Sequence, residues 1–419
     1  MTAIFRMMNG ADVLVVGGGP AGSAAAYWLA RDGHAVTVVE RKSFPRDKTC
    51  GDGLTPRAIY QLNEMGFDFS TPGFHRVTGL RSYAGDKVML EMSWPDHSRF
   101  PHWGGVVRRR ELDQQVADLA RGQGVAVLEQ TEARPLVGDG ALEGVELRSN
   151  GSVETVRPRV VIVADGALNR FGRHLGVTRR KDYPLGLAAR GYYRSPRSSD
   201  PFLESQLDIR DRAGATMPGY GWVFPLGDGT VNVGVGLLST FKRWKQANTT
   251  RMMADWVDAA PGYWGLSEET RLTDPVGGAL QMSFSRSPLA GPNWLVIGDA
   301  AAAINPWNGE GIAYAYETGR IAAELVGQAV AEGDSEALAR YPGYLDREYG
   351  LYYRTARIFV KLIGRPAVMR TLAHTGLRNR PLMEWTLKVM ANLLEEDERG
   401  IGEEVFRALQ GLSRAVPVA

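Results

Sequence analysis

The sequence of 419 residues predicts an α/β fold, in which a Rossmann-like dinucleotide-binding domain is interleaved with an antiparallel-sheet domain and followed by a C-terminal helical region. Three observations support this prediction. The chain opens with a βαβ pattern, segments of alternating hydrophobicity follow in its middle, and helical patterning continues from about Gly319 to the end.

The opening unit has the order strand, turn, helix, strand. Val13–Val16 is a short apolar run, and the residues from Gly17 to Pro20 form a glycine-rich turn. Residues 21–30 are strong helix formers, and residues 35–39 are apolar and largely β-branched. Together they predict a βαβ unit at the start of the first domain.

The middle of the chain supplies the second domain. Alternating patterns at 77–94, 185–193 and 230–237 predict antiparallel strands, whereas apolar strands at 160–164 and 294–297 continue the first domain. We expect the first domain to comprise residues 1–70, 105–180 and 276–330, the second 71–104 and 181–275, and the helical region 331–419.

Composition excludes several classes of protein. Lys and Arg number 49 against 47 Asp and Glu, a net charge of +2, which argues against a nucleic-acid binder. Cys50 is the single cysteine, so the chain has no internal disulfide and fits a reducing cytoplasm. The uncharged run 13–30 is long enough to suggest a membrane span, but the glycines and proline at 17–20 interrupt it.

A dinucleotide-binding fingerprint lies in the opening turn. Gly17, Gly19 and Gly22 satisfy G-x-G-x-x-G between a strand and a helix. The first makes the tight turn, the second lets a pyrophosphate approach the backbone, and the third lets helix pack on strand. Pro20 and Ala21 begin the helix, whose N-terminus favours phosphate. Glu40 ends the second strand, where its carboxylate can accept hydrogen bonds from an unphosphorylated ribose.

Three further segments favour FAD over NAD, because a resident flavin needs contacts along its whole length. Asp165 and Asp299 each follow an apolar strand, and Gly309, Gly311 and Ile312 lead into a helix. This set of motifs resembles the p-hydroxybenzoate-hydroxylase-type flavoproteins. The resemblance implies FAD as cofactor, with Asp299 on the ribityl chain and the helix that begins at residues 309–312 pointing its positive end at the flavin.

The same resemblance implies further cofactor contacts. Arg109, in an R-x-x-L-D pattern, matches a position near the cofactor phosphates, and a charge on a helix surface is the alternative. Ala133 falls where the backbone touches adenine. The remaining cofactor-binding residues that it implies are Arg41, Lys48, Cys50 and Gly51.

A second motif narrows the family. Pro45-Arg-Asp-Lys-Thr-Cys-Gly-Asp-Gly53 resembles the P-x-x-x-x-C-G-x-G signature of geranylgeranyl reductases, flavoproteins that saturate isoprenoid double bonds. The strings 50–57, 219–225 and 309–312 are similar to the actinobacterial menaquinone reductases within that family, which hydrogenate one isoprene unit of the quinone's tail. The resemblance implies an FAD-dependent reductase whose substrate is a polyprenyl lipid or quinone.

Cys50 and Asp52 are the candidate catalytic residues. Saturating an isolated alkene requires a hydride and a proton, and Cys50 or water can supply the proton. Cys50 can equally be a small apolar residue packed in the loop. Asp52 can act as an acid, anchor the loop by hydrogen bonds or shape a turn.

Tyr220, Trp222 and Phe224 are the candidate substrate-binding residues. They alternate along an extended segment and therefore point to one face, where they line either an apolar cavity or an aromatic core cluster.

The C-terminal region predicts a membrane surface as a partner. Arg354, Arg357, Lys361 and Arg365 form one stripe of a helix that ends at Pro366, which suits an anionic bilayer on the inner face of the cell membrane. Packing of the opposite, apolar side on the protein body, with the basic side in water, is the alternative.

Other features limit the chemistry. The six histidines are scattered and predict no metal site. A second G-x-G-x-x-G motif is missing, so the electron donor, which is unidentified, binds transiently or is a separate carrier. The rival functions are a flavin-dependent monooxygenase or halogenase of an aromatic substrate, and a prenyl-lipid carrier without enzymatic activity.

Overall fold

The computed structural model describes residues 11–84, 88–138, 141–210, 214, 216–334, 336–394 and 401–415. Positions 1–10, 139–140, 211–213, 215, 335, 395–400 and 416–419 of the predicted domains lie outside the described residues, as do positions 85–87 of the predicted segment 77–94. The predicted fold class is confirmed, because the described chain combines a largely parallel sheet, a largely antiparallel sheet and C-terminal helices.

The first sheet has six strands within the described part of the chain. They are β1 (Val13–Val16), β2 (Val36–Val39), β8 (Ala126–Leu128), β12 (Val160–Val163), β20 (Ala290–Gly291) and β21 (Trp294–Val296). Their order is β20-β21-β12-β1-β2-β8, and every neighbouring pair is parallel except β20 with β21. All residues of β1 and β12 are buried, as expected for a parallel sheet covered on both faces.

Helices cover this sheet and lead away from its strands. The helices that precede the C-terminal region are α1 (Pro20–Arg31), α2 (Pro56–Glu64), α3 (Arg109–Gly122), α4 (Arg170–His174), α5 (Thr249–Ala259) and α6 (Ile312–Glu332). Of these, α5 packs on the second sheet, described below, and not on this one. The α1 and α6 helices approach each other closely, since a Cβ on Gly319 would lie 2.6 Å from the carbonyl oxygen of Ala21. This contact places the start of α6 beside the fingerprint turn.

The second sheet has seven strands among the described residues. They are β5 (Gly79–Ala84), β6 (Val88–Ser93), β14 (Leu185–Arg194), β15 (Phe202–Gln206), β16 (Gly219–Pro225), β17 (Thr230–Leu238) and β18 (Val276–Gln281). Their order is β18-β14-β17-β16-β15-β5-β6, and the pair β15 with β5 is parallel, whereas the others are antiparallel. Residues 276–281 are predicted in the first domain, but β18 pairs with β14 of this second sheet. The sequence does not indicate this pairing because the exposed edge strand has little alternation of apolar and polar residues.

Smaller sheets complete the described fold. Their strands are β3 (Gly53–Leu54), β4 (His75–Val77) and β7 (Gly104–Val106), then β9 (Glu132–Gly138), β10 (Ala141–Ser149) and β11 (Ser152–Val156), and the pair β13 (Thr178–Arg179) and β19 (Arg286–Ser287). In the first of these sheets β3 pairs with β7. Residues 45–52, here called the Cys50 loop, precede β3, and α3 follows β7. The pairing therefore holds the Cys50 loop next to the start of α3.

The C-terminal region is helical, as predicted. It contains α7 (Glu336–Ala339), α8 (Tyr341–Leu345), α9 (Leu351–Ile363), α10 (Pro366–Gly376), α11 (Arg380–Met390) and α12 (Ile401–Ala415). A single π-helical turn, Asp346–Gly350, connects α8 with α9. Tyr349, Tyr352 and Tyr353 are buried on the first domain. Among the helices described, none combines the length and the apolar character needed to cross a bilayer.

The predicted basic stripe does not lie on one solvent-facing side of α9. Arg357 is buried, with its guanidinium 4.3 Å from the centre of the Tyr183 ring, and burial lowers its pKa. Nε of Arg354 donates a hydrogen bond to the carbonyl oxygen of Ser413. Lys361 and Arg365 are exposed. The prediction is wrong for Arg357 because helical spacing gives the angle between side chains but not what the rest of the fold packs against them.

Candidate active site

The fingerprint turn contains two glycines that the fold itself requires. Gly17 has φ +107°, and a Cβ there would lie 2.4 Å from the carbonyl oxygen of Ala164. A Cβ on Gly22 would lie 1.9 Å from the carbonyl oxygen of Gly17. Any side chain at either position would therefore collide with backbone.

Gly19 differs, because a Cβ there would meet only Nη2 of Arg46, at 3.7 Å. Gly19 caps α1, which begins with Pro20 and Ala21, and no side chain caps the helix N-terminus. The turn thus has free space beside helical N–H groups, a combination that suits a phosphate group.

Glu40 lies against this turn. Its Oε2 accepts a hydrogen bond from the backbone N–H of Gly18 (3.1 Å), and its Oε1 accepts one from that of Lys42 (3.0 Å). Nη2 of Arg46 is 3.3 Å from Oε2. Arg46 is not among the predicted cofactor-binding residues, which include the exposed Arg41. The only sequence signal for Arg46 is its place inside the motif 45–53.

Asp165 follows β12 and has an unsatisfied oxygen. Its Oδ2 accepts a hydrogen bond from the backbone N–H of Phe171 (2.8 Å), whereas its buried Oδ1 has no partner among the described residues. Burial raises the pKa of Asp165 to about 6. The nearby Arg286, also missed by the sequence analysis, donates from Nη1 to the carbonyl oxygens of Asp299 (3.1 Å) and Ala300 (2.9 Å).

Asp299 follows β21, next to the start of α6. Its Oδ1 lies 3.4 Å from the position that a Cβ on Gly311 would occupy. Its Oδ2 is 3.9 Å from Nζ of Lys48, which comes from the Cys50 loop. Gly309 has φ +81° and, with Gly311, precedes Ile312 at the first turn of α6. The structure thus brings these predicted cofactor residues together.

Arg109 is buried and pairs within its own helix. Its Nε and Nη2 donate to the two carboxylate oxygens of Asp113 (2.7 and 2.8 Å), so the alternative of a surface charge is wrong. Asp113 also accepts a hydrogen bond from Nη1 of Arg46 (3.0 Å). This chain of charges links Glu40, through Arg46 and Asp113, to Arg109.

Asp52 is completely buried and has φ +66°. Its Oδ2 accepts hydrogen bonds from the hydroxyl of Tyr192 (2.6 Å) and from Nδ2 of Asn232 (2.8 Å). Its Oδ1 accepts one from the backbone N–H of Arg109 (3.3 Å). Burial raises the pKa of Asp52, and the bonds from Tyr192 and Asn232 partly offset this effect. Of the roles that the sequence left open, the geometry favours the hydrogen-bond anchor.

Cys50 is half-buried in the loop that Asp52 anchors. Burial raises the pKa of its thiol, and the charge of Arg109 partly offsets this rise. The carbonyl oxygen of Cys50 accepts a hydrogen bond from Nδ2 of Asn232 (2.9 Å). The thiol is therefore protonated near neutral pH and is held in a fixed loop.

Tyr220, Trp222 and Phe224 form an aromatic row along β16, with centroids 5.8 and 6.1 Å apart. Positions for a Cβ on Gly51 and Gly53 lie 3.4 and 3.1 Å from the Phe224 ring, so the Cys50 loop packs directly on the row. Trp222 is buried and donates from Nε1 to Oδ1 of Asn232 (3.0 Å). Tyr220 and Phe224 are half-buried and retain surface that an apolar ligand can contact.

A cavity of about 360 Å³ lies beside Ala133. It is lined by residues 132–135 of β9 and by Arg170, Phe171, Arg173 and His174 of α4. The backbone N–H of Thr131 donates to the carbonyl oxygen of Glu40 (2.9 Å), so the cavity neighbours the end of the fingerprint unit. In the described part of the chain, no group of three or more His, Cys, Asp and Glu side chains is arranged to hold a metal ion.

Comparisons with known proteins identify the family. Residues 10–342 match the model of the FAD binding domain. The chain is 41% identical over 413 residues to the menaquinone reductase of Mycobacterium tuberculosis, covering 97% of both chains. The chain belongs to the geranylgeranyl reductase family of FAD-binding proteins. Within it, a digeranylgeranylglycerophospholipid reductase of Methanopyrus kandleri is 29% identical, over 84% of this chain and 90% of the relative.

Solved structures share the fold of this family member. A geranylgeranyl bacteriochlorophyll reductase-like protein from Thermoplasma acidophilum superposes with a TM-score of 0.76 at 24% identity, covering 95% of this chain and 98% of that chain. A flavin-dependent brominase superposes with a TM-score of 0.72 at 20% identity, covering 97% and 100%. At these identities, the structural likeness concerns the fold alone.

The residues of this geranylgeranyl reductase-family chain fit FAD along the length of a dinucleotide. The fingerprint offers a phosphate-sized space at Gly19, and Asp165 offers an unpartnered acceptor. The cavity beside Ala133 offers room for a ring at one end, and Lys48, Asp299 and the first turn of α6 meet at the other. The cofactor is therefore FAD, as the family model also indicates.

The two kinds of glycine give a first testable prediction. Gly17→Ala should lower the free energy of unfolding of the flavin-free protein by about 3 kcal/mol or more, because of backbone strain and the clash with Ala164. Gly19→Ala should change it by less than about 1 kcal/mol but reduce the flavin content, because the methyl group fills the phosphate space. Urea unfolding and flavin absorbance measure the two effects. Equal loss of stability in both variants would contradict this assignment.

Asp299→Ala should weaken FAD retention. Loss of a charged hydrogen-bond acceptor predicts roughly a tenfold or larger rise in the Kd for FAD. Equilibrium dialysis of the flavin-free protein measures it. Asp274→Ala is the matched control, because that carboxylate is 90% exposed at the surface. Equal FAD affinity in both variants would count against the ribityl contact.

Proposed function

We propose that the protein is an FAD-dependent reductase that saturates one carbon–carbon double bond in the polyprenyl chain of menaquinone. The observation that carries the proposal is the similarity to menaquinone reductase over 97% of both chains. The matched length extends well beyond what FAD binding alone requires.

Bound FAD, once reduced, supplies a hydride at N5. We assign the cofactor contacts to this chain as follows. The turn at Gly19 with the N–H groups of α1 holds the pyrophosphate, and Glu40 accepts from the ribose hydroxyls. Asp299 accepts from the ribityl hydroxyls, and the N-terminus of α6 at Gly311 and Ile312 stabilises negative charge on the reduced ring. Ala133 contacts adenine.

The substrate would lie between the Cys50 loop and the exposed parts of the aromatic row. An isoprenoid chain is apolar and finds contact area on the half-buried rings of Tyr220 and Phe224. Asp52 holds the loop in place by accepting a hydrogen bond from Asn232, and Trp222 in turn donates a hydrogen bond to Asn232. The loop is thereby pre-organised, which reduces the entropy cost of holding a flexible chain in a reactive position.

The electron donor binds transiently or is a separate carrier, since the sequence contains one dinucleotide fingerprint. The rivals of the sequence analysis use the same fold differently. A monooxygenase or halogenase would need oxygen and an aromatic substrate, and a prenyl-lipid carrier would bind lipid without turnover. The brominase shares the fold at 20% identity, a much weaker likeness than the 41% to menaquinone reductase.

Anaerobic incubation of the dithionite-reduced protein with menaquinone tests the proposal. After the quinol ring of the product is reoxidised in air, two extra hydrogens should remain in the polyprenyl chain, with neither oxygen nor halogen added, as measured by tandem mass spectrometry. Reduction of the ring alone also adds two hydrogens, but reoxidation removes them. Geranylgeranyl lipids and an aromatic substrate with oxygen and halide are the parallel reactions. An oxygenated or halogenated product, or lipid binding without turnover, would overturn the proposal in favour of the corresponding rival.

We also propose that the protein works as a peripheral protein on the inner face of the cell membrane. The α12 helix supports this: Phe406 and Ser413 face the protein body, whereas Val405, Leu409 and Leu412 are 48%, 46% and 66% exposed along one stripe. Spacings of four and three residues place these three on one helical face.

The basic end of α9 lies beside this stripe. Arg354 bonds Ser413, and Phe359 and Phe406 both pack on Trp307, so α9 and α12 run antiparallel. The exposed Lys361 and Leu362 therefore lie near the start of α12. An exposed aliphatic stripe flanked by cations suits an anionic bilayer, where the substrate is dissolved.

Replacing Leu409 and Leu412 by Glu should reduce binding to anionic vesicles of phosphatidylglycerol at least roughly tenfold, because the apolar area that two leucines would bury in the bilayer is lost. Co-sedimentation measures the bound fraction. The control is Val153→Glu, which is equally exposed (55%) but lies on β11. Unchanged co-sedimentation of the double variant would exclude this surface.

A further inference from the structure

The loop between β21 and α6 contains an acidic residue to which neither the motifs nor the comparisons give a role. Residues 305–311 form a compact turn, in which the backbone N–H of Asn305 donates to the carbonyl oxygen of Glu310 (2.8 Å), and that of Gly309 donates to Asn305 (2.9 Å). The backbone N–H of Glu310 donates to Oδ1 of Asn308 (2.9 Å). The loop is rigid, so the Glu310 side chain has a defined position.

The Glu310 carboxyl group has one partnered and one unpartnered oxygen. Its Oε1 accepts a hydrogen bond from the hydroxyl of Thr55. Its Oε2 is buried and has no hydrogen-bond partner in the described part of the chain. Thr55 follows the Cys50 loop directly, through Gly53 and Leu54 of β3. Glu310 therefore joins the loop that begins α6 to the loop that carries Cys50.

Charged and titratable groups surround Glu310. Arg57 of α2 is the nearest cation, but both oxygens of Glu317 on α6 accept from it (3.0 and 2.9 Å), so its charge is largely offset. The hydroxyl of Tyr220 is also near Glu310, and it donates a hydrogen bond to the carbonyl oxygen of Asn308 (2.7 Å).

Two further tyrosines of the helical region, Tyr314 and Tyr352, also face Glu310. Burial raises the pKa of Glu310 to about 7, although the bond from Thr55 and the charge of Arg57 lower it. Cys50 and Glu310 both contribute to the raised pKa of Tyr220, so both groups lie near its hydroxyl.

We propose that Glu310 is the acid that protonates the double bond of the substrate; this inference rests on the proposed function. One alkene carbon accepts a hydride from the reduced cofactor, and the other accepts the proton of Glu310. The π bond breaks, two C–H bonds form, and two electrons pass to the substrate as the reduced cofactor becomes oxidised. Glu310 is left as a carboxylate and regains its proton from water.

The other candidate acids suit the step less well. The Asp52 carboxylate already accepts three hydrogen bonds, whereas Glu310 has an oxygen without a partner in the described part of the chain. The Cys50 thiol has a pKa above its ordinary value and is the weaker acid. A general acid works best with a pKa near the operating pH, and Glu310 meets this condition. Its unpartnered oxygen leaves it able to donate.

Single-turnover measurements on the reduced holoenzyme test the proposal, with menaquinol as the probe and reoxidation of the flavin as the signal. Menaquinol is used because the ring of menaquinone would itself oxidise the flavin. The wild-type rate should fall about tenfold per pH unit above pH of about 7. Glu310→Gln keeps the acceptor for Thr55 but holds no titratable proton. It should react at least about 100-fold more slowly without this alkaline limb. Its flavin content and its affinity for menaquinol should match the wild type.

Two comparison variants separate proton donation from loop positioning. Thr55→Val removes a hydrogen bond that lowers the pKa of Glu310, so the alkaline limb should move to higher pH. A purely structural role of this contact predicts a lower rate at every pH and no movement of the limb. Cys50→Ser should slow the reaction less than Glu310→Gln does.

Infrared spectra of the oxidised holoenzyme provide a readout that needs no turnover. The wild type minus Glu310→Gln difference should contain a protonated-carboxyl band that disappears as pH rises through neutrality. Absence of that band overturns the proposal, as does an active wild type with a Glu310→Gln rate within threefold of it. A wild type that reduces no polyprenyl substrate removes the proposed function as well, so the two failures are distinguishable.

Discussion

The hydrogen bonds to the buried Asp52 carboxylate hold the site together. Arg109 donates from the first domain, and Tyr192 and Asn232 donate from β14 and β17 of the second. Each hydrogen bond to a charged group contributes about 1.5–3 kcal/mol, which is enough to maintain a left-handed backbone conformation at Asp52. The Cys50 loop, the aromatic row and the charge pair of Arg109 have their relative positions because this carboxylate links both sheets.

The surroundings of each glycine show whether the fold itself requires the absence of a side chain there. Gly17 and Gly22 are fixed by backbone atoms of the protein, whereas Gly19 faces space. Gly51 and Gly53 serve a third purpose, since their missing side chains let the Cys50 loop rest on Phe224. Gly19 is thus the fingerprint glycine whose small size the protein's own packing does not explain, as expected at a contact with a ligand.

Local sequence predicted the βαβ unit, the acidic turns after β12 and β21, and the fold class, because each depends on residues close together in the chain. Interactions between distant segments were not predictable. Arg46 and Arg286 act on groups from other motifs, and Glu310 is buried by segments more than 200 residues away. The burial of Arg357 is of the same kind, since Tyr183 is remote in sequence.

The π-helical turn at Asp346–Gly350 affects which way the large side chains of α8 and α9 point. Tyr341, Leu345, Tyr349 and Tyr353 are all buried at intervals of four residues. In a regular α-helix this interval advances by about 40° each time, so the fourth side chain would have rotated about 120° away from the first. In a π-helical turn each residue rotates the chain by a smaller angle than in an α-helix, which offsets this rotation. One locally expanded turn thereby helps to keep these large side chains buried across two helices.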